Sequence, residues 1–179
     1  MKNLMLLRHA KSTWDDPVER DFDRPLNGRG RRAAHRMGQY LRDEGLDFDQ
    51  VVASPALRVQ QTLGGVEDGL GSALTPLYDR RIYMASASTL LDLVHALDDQ
   101  HGRVLLVGHN PGLEDLVLML VPQTQAGLRD EVEVKYPTAT LAELSFATDR
   151  WAAIDVRSGT LERFVRPREL DPSLGPDES

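Results

Sequence analysis

Three short apolar runs constrain this chain more than any other feature: Leu4 to Leu7, Gln50 to Ala53 and Val104 to Val107. None alternates with polar residues, which is the pattern of a strand buried on both faces. Such a strand needs cover on each side, and the segments between the runs have helical period. Ala33, Ala34, Met37, Tyr40 and Leu41 share one stripe, Leu113, Leu116, Val117 and Leu120 a second, and Leu90, Val94 and Leu97 a third. Strand-helix alternation of this kind predicts an α/β fold, a three-layer α/β/α sandwich around a mostly parallel central sheet. The third quarter differs: Thr138 to Phe146 and Trp151 to Val156 are β-rich and joined by Ala147-Thr148-Asp149-Arg150, so an antiparallel hairpin is expected at one sheet edge. Four glycines between Gly64 and Ser72 predict a helix end and a loop, and Pro122 to Asp130 an exposed connection.

A chain of 179 residues, 41% hydrophobic, is long enough for one full core, and residues 1–166 are expected to form a single domain. The remainder, residues 167–179, is rich in proline and acid and reads as a solvated C-terminal tail. A formal charge of -7 argues against a nucleic-acid partner, because neutralising phosphates needs a basic surface. The absence of cysteine removes disulfides, thiolate zinc sites and a cysteine nucleophile, and fits a reducing cytoplasm. No apolar run approaches the ~20 residues of a membrane helix, and the N-terminus lacks a signal-peptide core, so neither a membrane partner nor export is expected.

The second and third apolar runs end at similar punctuation. Ser54-Pro55 follows one, and Gly108-His109-Asn110-Pro111 follows the other. Ser and Asn are favoured helix caps and proline suits the first helical turn, so both helices are expected to start just beyond the C-terminal ends of parallel strands. Ligands of open α/β sheets bind at that edge, and two helix N-termini there favour an anion, with phosphate the natural candidate. Arg8 and His9 leave the first strand, Arg58 lies in the first turn of the second helix, and His109 precedes Asn110, so all four emerge together. Two guanidiniums can grip phosphate oxygens bidentately, and a histidine held by one ring nitrogen can attack phosphorus with the other. A cation such as Arg58 at a helix N-terminus is unfavourable by ~0.3–1 kcal/mol unless an anion is present, which also points to phosphate.

With those residues in view, the chain resembles the histidine phosphatase superfamily (phosphoglycerate mutase-like fold), and within it the SixA-like phosphohistidine phosphatase branch. The resemblance is carried by LLRHAKSTW, RPLNGRGRRAA, VVASPALRVQQT and VLLVGHNPGLEDL in that order, over roughly residues 2–120. It implies that His9 is the phosphorylated nucleophile, that Arg8, Arg58 and His109 bind the transferring phosphoryl group, and that no metal or organic cofactor is needed. The implied partners are a phosphorylated protein or a small phosphate-bearing molecule. Two departures stand out. Arg-His-Ala replaces the wider superfamily's Arg-His-Gly, at the cost of a methyl group. Larger members place an acid after the third strand, where this chain offers only Asp79, the candidate proton donor. Asp15, where many relatives have asparagine, is expected to turn away from the phosphate or to pair with Lys11 or an arginine.

Other features take plainer readings. Gly28 to Ala33 fits the G-x-G-x-x-A dinucleotide fingerprint, but Arg24-Pro25-Leu26-Asn27 precedes it where a strand is required. His35, His95 and His101 read as structural or solvated, and no side chains stand at metal-ligand spacing. The acidic string Asp15, Asp16, Glu19, Asp21 and Asp23 reads as a solvated loop beside the nucleophile, with a lid or docking role open. The pocket is expected to be shallow and open, which suits a phosphorylated side chain on a protein. A phosphatase of small phosphate esters, a mutase and a non-catalytic phosphate-binding module remain alternatives. Because His9 must be neutral to attack, activity is expected to fall at acid pH through the histidine range.

Overall fold

A computed structural model of the chain describes residues 1–14 and 20–175. The expectation for Asp15, and the part of the acidic string at Asp16 and Glu19, lie outside the described residues. In chain order the elements are β1 (Lys2–Arg8), a 3₁₀ turn (Asp21–Asp23), α1 (Gly28–Asp43), β2 (Gln50–Ala53), α2 (Leu57–Leu70), β3 (Leu77–Tyr78), a 3₁₀ turn (Arg80–Ile82) and α3 (Ala87–His95). They continue with β4 (Arg103–Gly108), α4 (Gly112–Leu120), α5 (Leu128–Val134), β5 (Leu141–Phe146), a 3₁₀ turn (Trp151–Ala153), β6 (Thr160–Val165), α6 (Pro167–Leu170) and a last 3₁₀ turn (Pro172–Leu174).

Among the described residues the sheet has six strands in the order β3-β2-β4-β1-β5-β6. β3, β2, β4 and β1 run parallel, β5 pairs antiparallel with β1, and β6 antiparallel with β5. The apolar runs therefore sit at the centre, as their unbroken burial requires. Along β1, Leu4 and Leu6 face one core with α3, α4 and α5, while Met5 and Leu7 face the other with α1 and α2. All four have no exposed surface. At about 1.5–3 kcal/mol for each large buried apolar side chain, β1 is anchored from both sides, which fixes the point where Arg8 and His9 leave it.

The expected hairpin takes a different form. Trp151 to Val156 is not a strand, and the antiparallel partner of β5 is β6, further along. Trp151 and Ile154 stand three apart, so a 3₁₀ turn buries both, and the Trp151 indole N–H donates to the His101 carbonyl at 2.7 Å. Gly64 to Gly69 also departs from expectation, since α2 continues through it and ends only at Gly71, with φ of 82°. The glycines serve helix contact instead. A methyl group on Gly38 of α1 would stand 2.1 Å from the Val66 carbonyl of α2, and one on Gly69 would stand 2.0 Å from the His35 carbonyl. Beyond Pro167, where composition suggested a solvated tail, α6 and the last turn fold onto α1 and bury Leu174 among its apolar residues.

Candidate active site

The parallel strands β2, β4 and β1 end side by side, and this edge assembles the residues expected there. The His9 N–H donates to the Gly108 carbonyl of β4 at 3.1 Å, and Ala139 N–H bridges the Arg8 and His9 carbonyls at 3.1 and 3.0 Å. Ala10 N–H donates to the Thr62 hydroxyl of α2 at 2.9 Å. A methyl group on Gly30 would stand 2.0 Å from the Lys11 carbonyl, so the start of α1 presses against the strand exit. Both helices that cover this edge begin later than the caps predicted. α2 starts at Leu57 and α4 at Gly112. Ser54 Oγ accepts from Ala56 N–H at 3.3 Å and lies 2.8 Å from His109 Nε2, while Asn110 Oδ1 accepts from Glu114 N–H at 3.2 Å and its amide donates to the Tyr136 carbonyl at 3.1 Å.

Both histidines are buried. His9 Nδ1 lies 2.7 Å from the Ala10 carbonyl, which can only accept, so Nδ1 carries the proton and Nε2 keeps its lone pair. Burial pushes the His9 pKa well below the usual imidazole range. The Ala10 bond opposes this, and His109, Arg8 and Arg58 add to it. The ring centroids of His9 and His109 are 5.4 Å apart. Burial, with the Arg58 charge next in weight, lowers His109 to about 3. Arg58 Nη2 lies 3.4 Å from His109 Nδ1 and can only donate, so Nδ1 holds the lone pair and Nε2–H donates to the Ser54 hydroxyl.

Arg58, the second residue of α2, is 2% exposed. Its Nη1 donates to the Asp21 carbonyl at 2.8 Å and its Nη2 to the Asp21 carboxylate at 2.9 Å. The anion that offsets Arg58 at the helix N-terminus is thus supplied by the chain itself. Asp21 Oδ2 also accepts from the Tyr83 hydroxyl at 2.6 Å, and Oδ1 from Arg24 at 3.1 Å. Burial opposes ionisation of Asp21, but Tyr83, Arg58 and Arg24 together hold it at about 2. Arg8 Nη1 donates to the Tyr136 carbonyl at 2.9 Å, and Tyr136, wholly buried, donates its hydroxyl to the Leu6 carbonyl.

An open crevice of about 210 Å³ results, lined by Arg8, His9, Arg58 and His109 together with Asp21, Arg24 and Thr138. All four residues picked out at the strand ends therefore converge, and three guanidiniums face one carboxylate. Arg24 is an addition to the expected set. It is 8% exposed, hydrogen-bonded to Ser12 and stacked on Trp14 with 3.5 Å to the ring centroid. Its signal was its place just before Pro25, within a segment that carried the resemblance. Ser54 and Asp21 entered the sequence reading only as a cap and as part of a solvated loop, and Tyr83 did not enter it.

Asp79 does not join them. It lines a separate cavity with Val52, Ile82 and Leu106, and its carboxylate pairs with Arg81 at 2.7 Å. Arg81 holds its pKa below the usual carboxylate value, the opposite of what a proton donor near neutral pH requires. His95 is structural, with Nε2 at 2.8 Å from the Ile154 carbonyl, and His35 lies exposed beside Gln39. Among the described residues no three His, Cys, Asp or Glu side chains converge to hold a metal ion, and no helix is long and apolar enough to cross a membrane.

Residues 4–82 match the family model of the histidine phosphatase superfamily, branch 1. A chain assigned as the phosphohistidine phosphatase SixA of Agrobacterium tumefaciens is 30% identical, with a TM-score of 0.78 over 93% of this chain and 98% of its own. A second structure so assigned, from Nakamurella multipartita, is also 30% identical, with a TM-score of 0.79 over 93% and 96%. An uncharacterised protein of Mycobacterium tuberculosis is 33% identical over 164 residues, 90% of this chain and 100% of that one.

Proposed function

From the premise that the chain belongs to the histidine phosphatase superfamily, in its SixA-like branch, we propose that this phosphatase works through a transient phosphohistidine on His9 and removes phosphate from histidine side chains of proteins. The observation that carries the reading is the Nδ1–H bond of His9 to the Ala10 carbonyl, which leaves a neutral Nε2 in a crevice with three guanidiniums. Nε2 attacks phosphorus in line and forms a new N–P bond. The substrate's P–N bond breaks, its electron pair passes to the leaving imidazole, and that nitrogen takes a proton from water. Water then attacks phospho-His9, releasing inorganic phosphate and a proton and restoring His9. Arg8, Arg58 and His109 hold the equatorial oxygens through both steps, and Arg24 adds to the positive field.

The choice of substrate follows from the proton balance. Among the described residues lining the crevice, the carboxyl is that of Asp21, which is ionised near neutral pH and cannot give a proton. A phosphoimidazole leaves with less help than an alkoxide does, so a site without a protonated acid suits the N–P bond. An open crevice also admits a side chain presented on a protein surface.

Rapid quench with a labelled phosphodonor, followed by peptide mapping, tests the mechanism. An acid-labile, base-stable phosphate on His9 is expected; label elsewhere, or turnover retained by His9→Ala, refutes it. Rates on a phosphohistidine protein and on sugar phosphates, measured side by side, test the substrate. Faster turnover of the esters replaces this reading with a general phosphatase of small phosphate esters.

A further inference from the structure

Trp14 and Met84 are 75% and 53% exposed, and of the large apolar side chains that stand exposed among the described residues they are the two that line the crevice. Single exposed apolar residues are ordinary on a protein surface. These two, however, back onto the guanidiniums of the crevice wall. The Arg24 guanidinium lies over one face of the Trp14 ring, 3.5 Å from its centroid, which leaves the other face to solvent. Met84 Sδ lies 3.8 Å from Arg58 Nη2, which in turn is 3.4 Å from His109 Nδ1. Arg24 and Arg58 hold the two oxygens of one carboxylate, that of Asp21, so a single chain of contacts joins Trp14 to Met84.

The backbone at Met84 is held against its preference. Ala85 N–H donates to the Ile82 carbonyl at 3.2 Å and closes a turn whose central residues are Tyr83, with φ of -62° and ψ of 115°, and Met84, with φ of 50°. This is a type II turn, and its third position calls for glycine because a Cβ is crowded at positive φ. Methionine there is strained, and a side chain more than half exposed gains little burial in return. Such strain persists where the side chain has a task at a site.

In-line transfer to His9 fixes where the leaving group stands. His9 is buried at the end of β1, so the leaving nitrogen lies on the far side of phosphorus and its ring projects toward the exposed rim. We propose that the open face of Trp14 and the thioether of Met84 form a seat for the imidazole ring of the phosphohistidine being hydrolysed. The inference rests on the substrate reading above. Stacking on Trp14 and a sulfur–aromatic contact with Met84 both need a planar ring, which a sugar phosphate lacks. The seat therefore recognises the leaving group by its flat faces and not by charge.

Binding to the His9→Ala protein tests the seat apart from turnover. The chain has two tryptophans and Trp151 is wholly buried, so a fluorescence change on titration reports Trp14. A stable triazole phosphonate analogue of phosphohistidine is expected to quench it, and to bind roughly two- to tenfold more tightly than methylphosphonate, which carries no ring. Calorimetry extends the comparison to variants. Trp14→Ala should bring the ratio of the two affinities close to one, and Trp14→Phe should keep most of it. Met84→Gly should lower the ratio without lowering the midpoint of urea unfolding, since it gives the turn its preferred residue. Equal affinities for the two phosphonates, or a ratio that survives both Trp14→Ala and Met84→Gly, overturn the seat. A urea midpoint that falls in Met84→Gly shows a packing role and overturns the part given to Met84. Phosphate release from a phosphohistidine protein by the native chain is read separately. Ring preference without release refutes the phosphatase reading alone, and release without ring preference refutes the seat alone.

Discussion

Acidification should destabilise this protein through two histidines whose charged forms the fold does not accommodate. His9 lies between Arg8, Arg58 and His109, and His109 faces Arg58, Arg8 and Arg24 with Asp21 as the one opposing charge. Both folded-state pKa values fall below the ordinary imidazole value of about 6.5, His109 to about 3. For a depressed pKa the unfolded chain binds protons that the folded chain refuses. The stabilisation is therefore full above pH 6.5 and is lost as pH falls toward the folded value. For His109, whose folded value is about 3, the slope approaches about 1.4 kcal/mol per pH unit below pH 6.5. From pH 6.5 to 4.5 it contributes a loss of about 2 kcal/mol, a sizeable share of the ~5–15 kcal/mol that holds a domain together. Urea unfolding at half-unit pH steps measures this directly. His109→Asn should flatten the curve over that range by about that loss, and His9→Asn should flatten it in the same direction. An unchanged pH slope in both variants refutes the claim that these rings are held neutral. The same burial moves the acid limb of kcat/KM. Activity falling through the ordinary histidine range is the expectation for a solvated imidazole, whereas His9 in this setting keeps its lone pair well below pH 6.5. A limb centred near 6.5 in the free enzyme would contradict the environment described for His9.

Three further outcomes follow from single contacts. Ser54→Ala leaves His109 Nε2 without its hydroxyl partner in a fully buried position, so kcat/KM should fall about tenfold, a cost of ~1.4 kcal/mol; steady-state rates equal to the native protein's would remove Ser54 from the positioning of His109. Asp79→Asn should change kcat by less than roughly twofold on any substrate, because only a half-exposed ion pair to Arg81 is lost; a large drop confined to poor leaving groups would restore Asp79 as a proton donor. Gly38→Ala should cost about 1–3 kcal/mol in urea unfolding, since its methyl meets the Val66 carbonyl of the facing helix, while the rate per folded molecule is retained; an unchanged midpoint would show that α1 and α2 can move apart freely.

How much of this was legible in the chain follows from where the information lies. β1, β2 and β4 were readable because a strand buried on both faces admits no polar residue, so its signature is local. The convergence of Arg8, His9, Arg58 and His109 was readable for a related reason: the positions follow from strand ends, and parallel strands place their ends on one edge. Trp151 to Val156 misled because β-rich composition does not specify period, and two inward apolar residues three apart satisfy a 3₁₀ turn as well as a strand. The glycines of α2 misled because a propensity for turns was weighed without the facing helix, whose approach needs positions that carry no Cβ.

The partners of Arg58 lay beyond local reading. A cation in the first helical turn reads as a sign of bound phosphate, yet the Asp21 carboxylate already answers it. That contact joins residues 37 apart and leaves no trace in either local pattern. It also changes the chemistry of the site. Phosphate entering the crevice meets an Arg58 whose terminal nitrogens are both engaged by Asp21, so Arg58 is held in place before substrate arrives and its charge is partly offset. Arg24, which shares Asp21 with Arg58, restores the balance by adding a third guanidinium to the same wall. A phosphoryl oxygen entering the crevice therefore competes with the Asp21 carboxylate for the terminal N–H groups of both arginines.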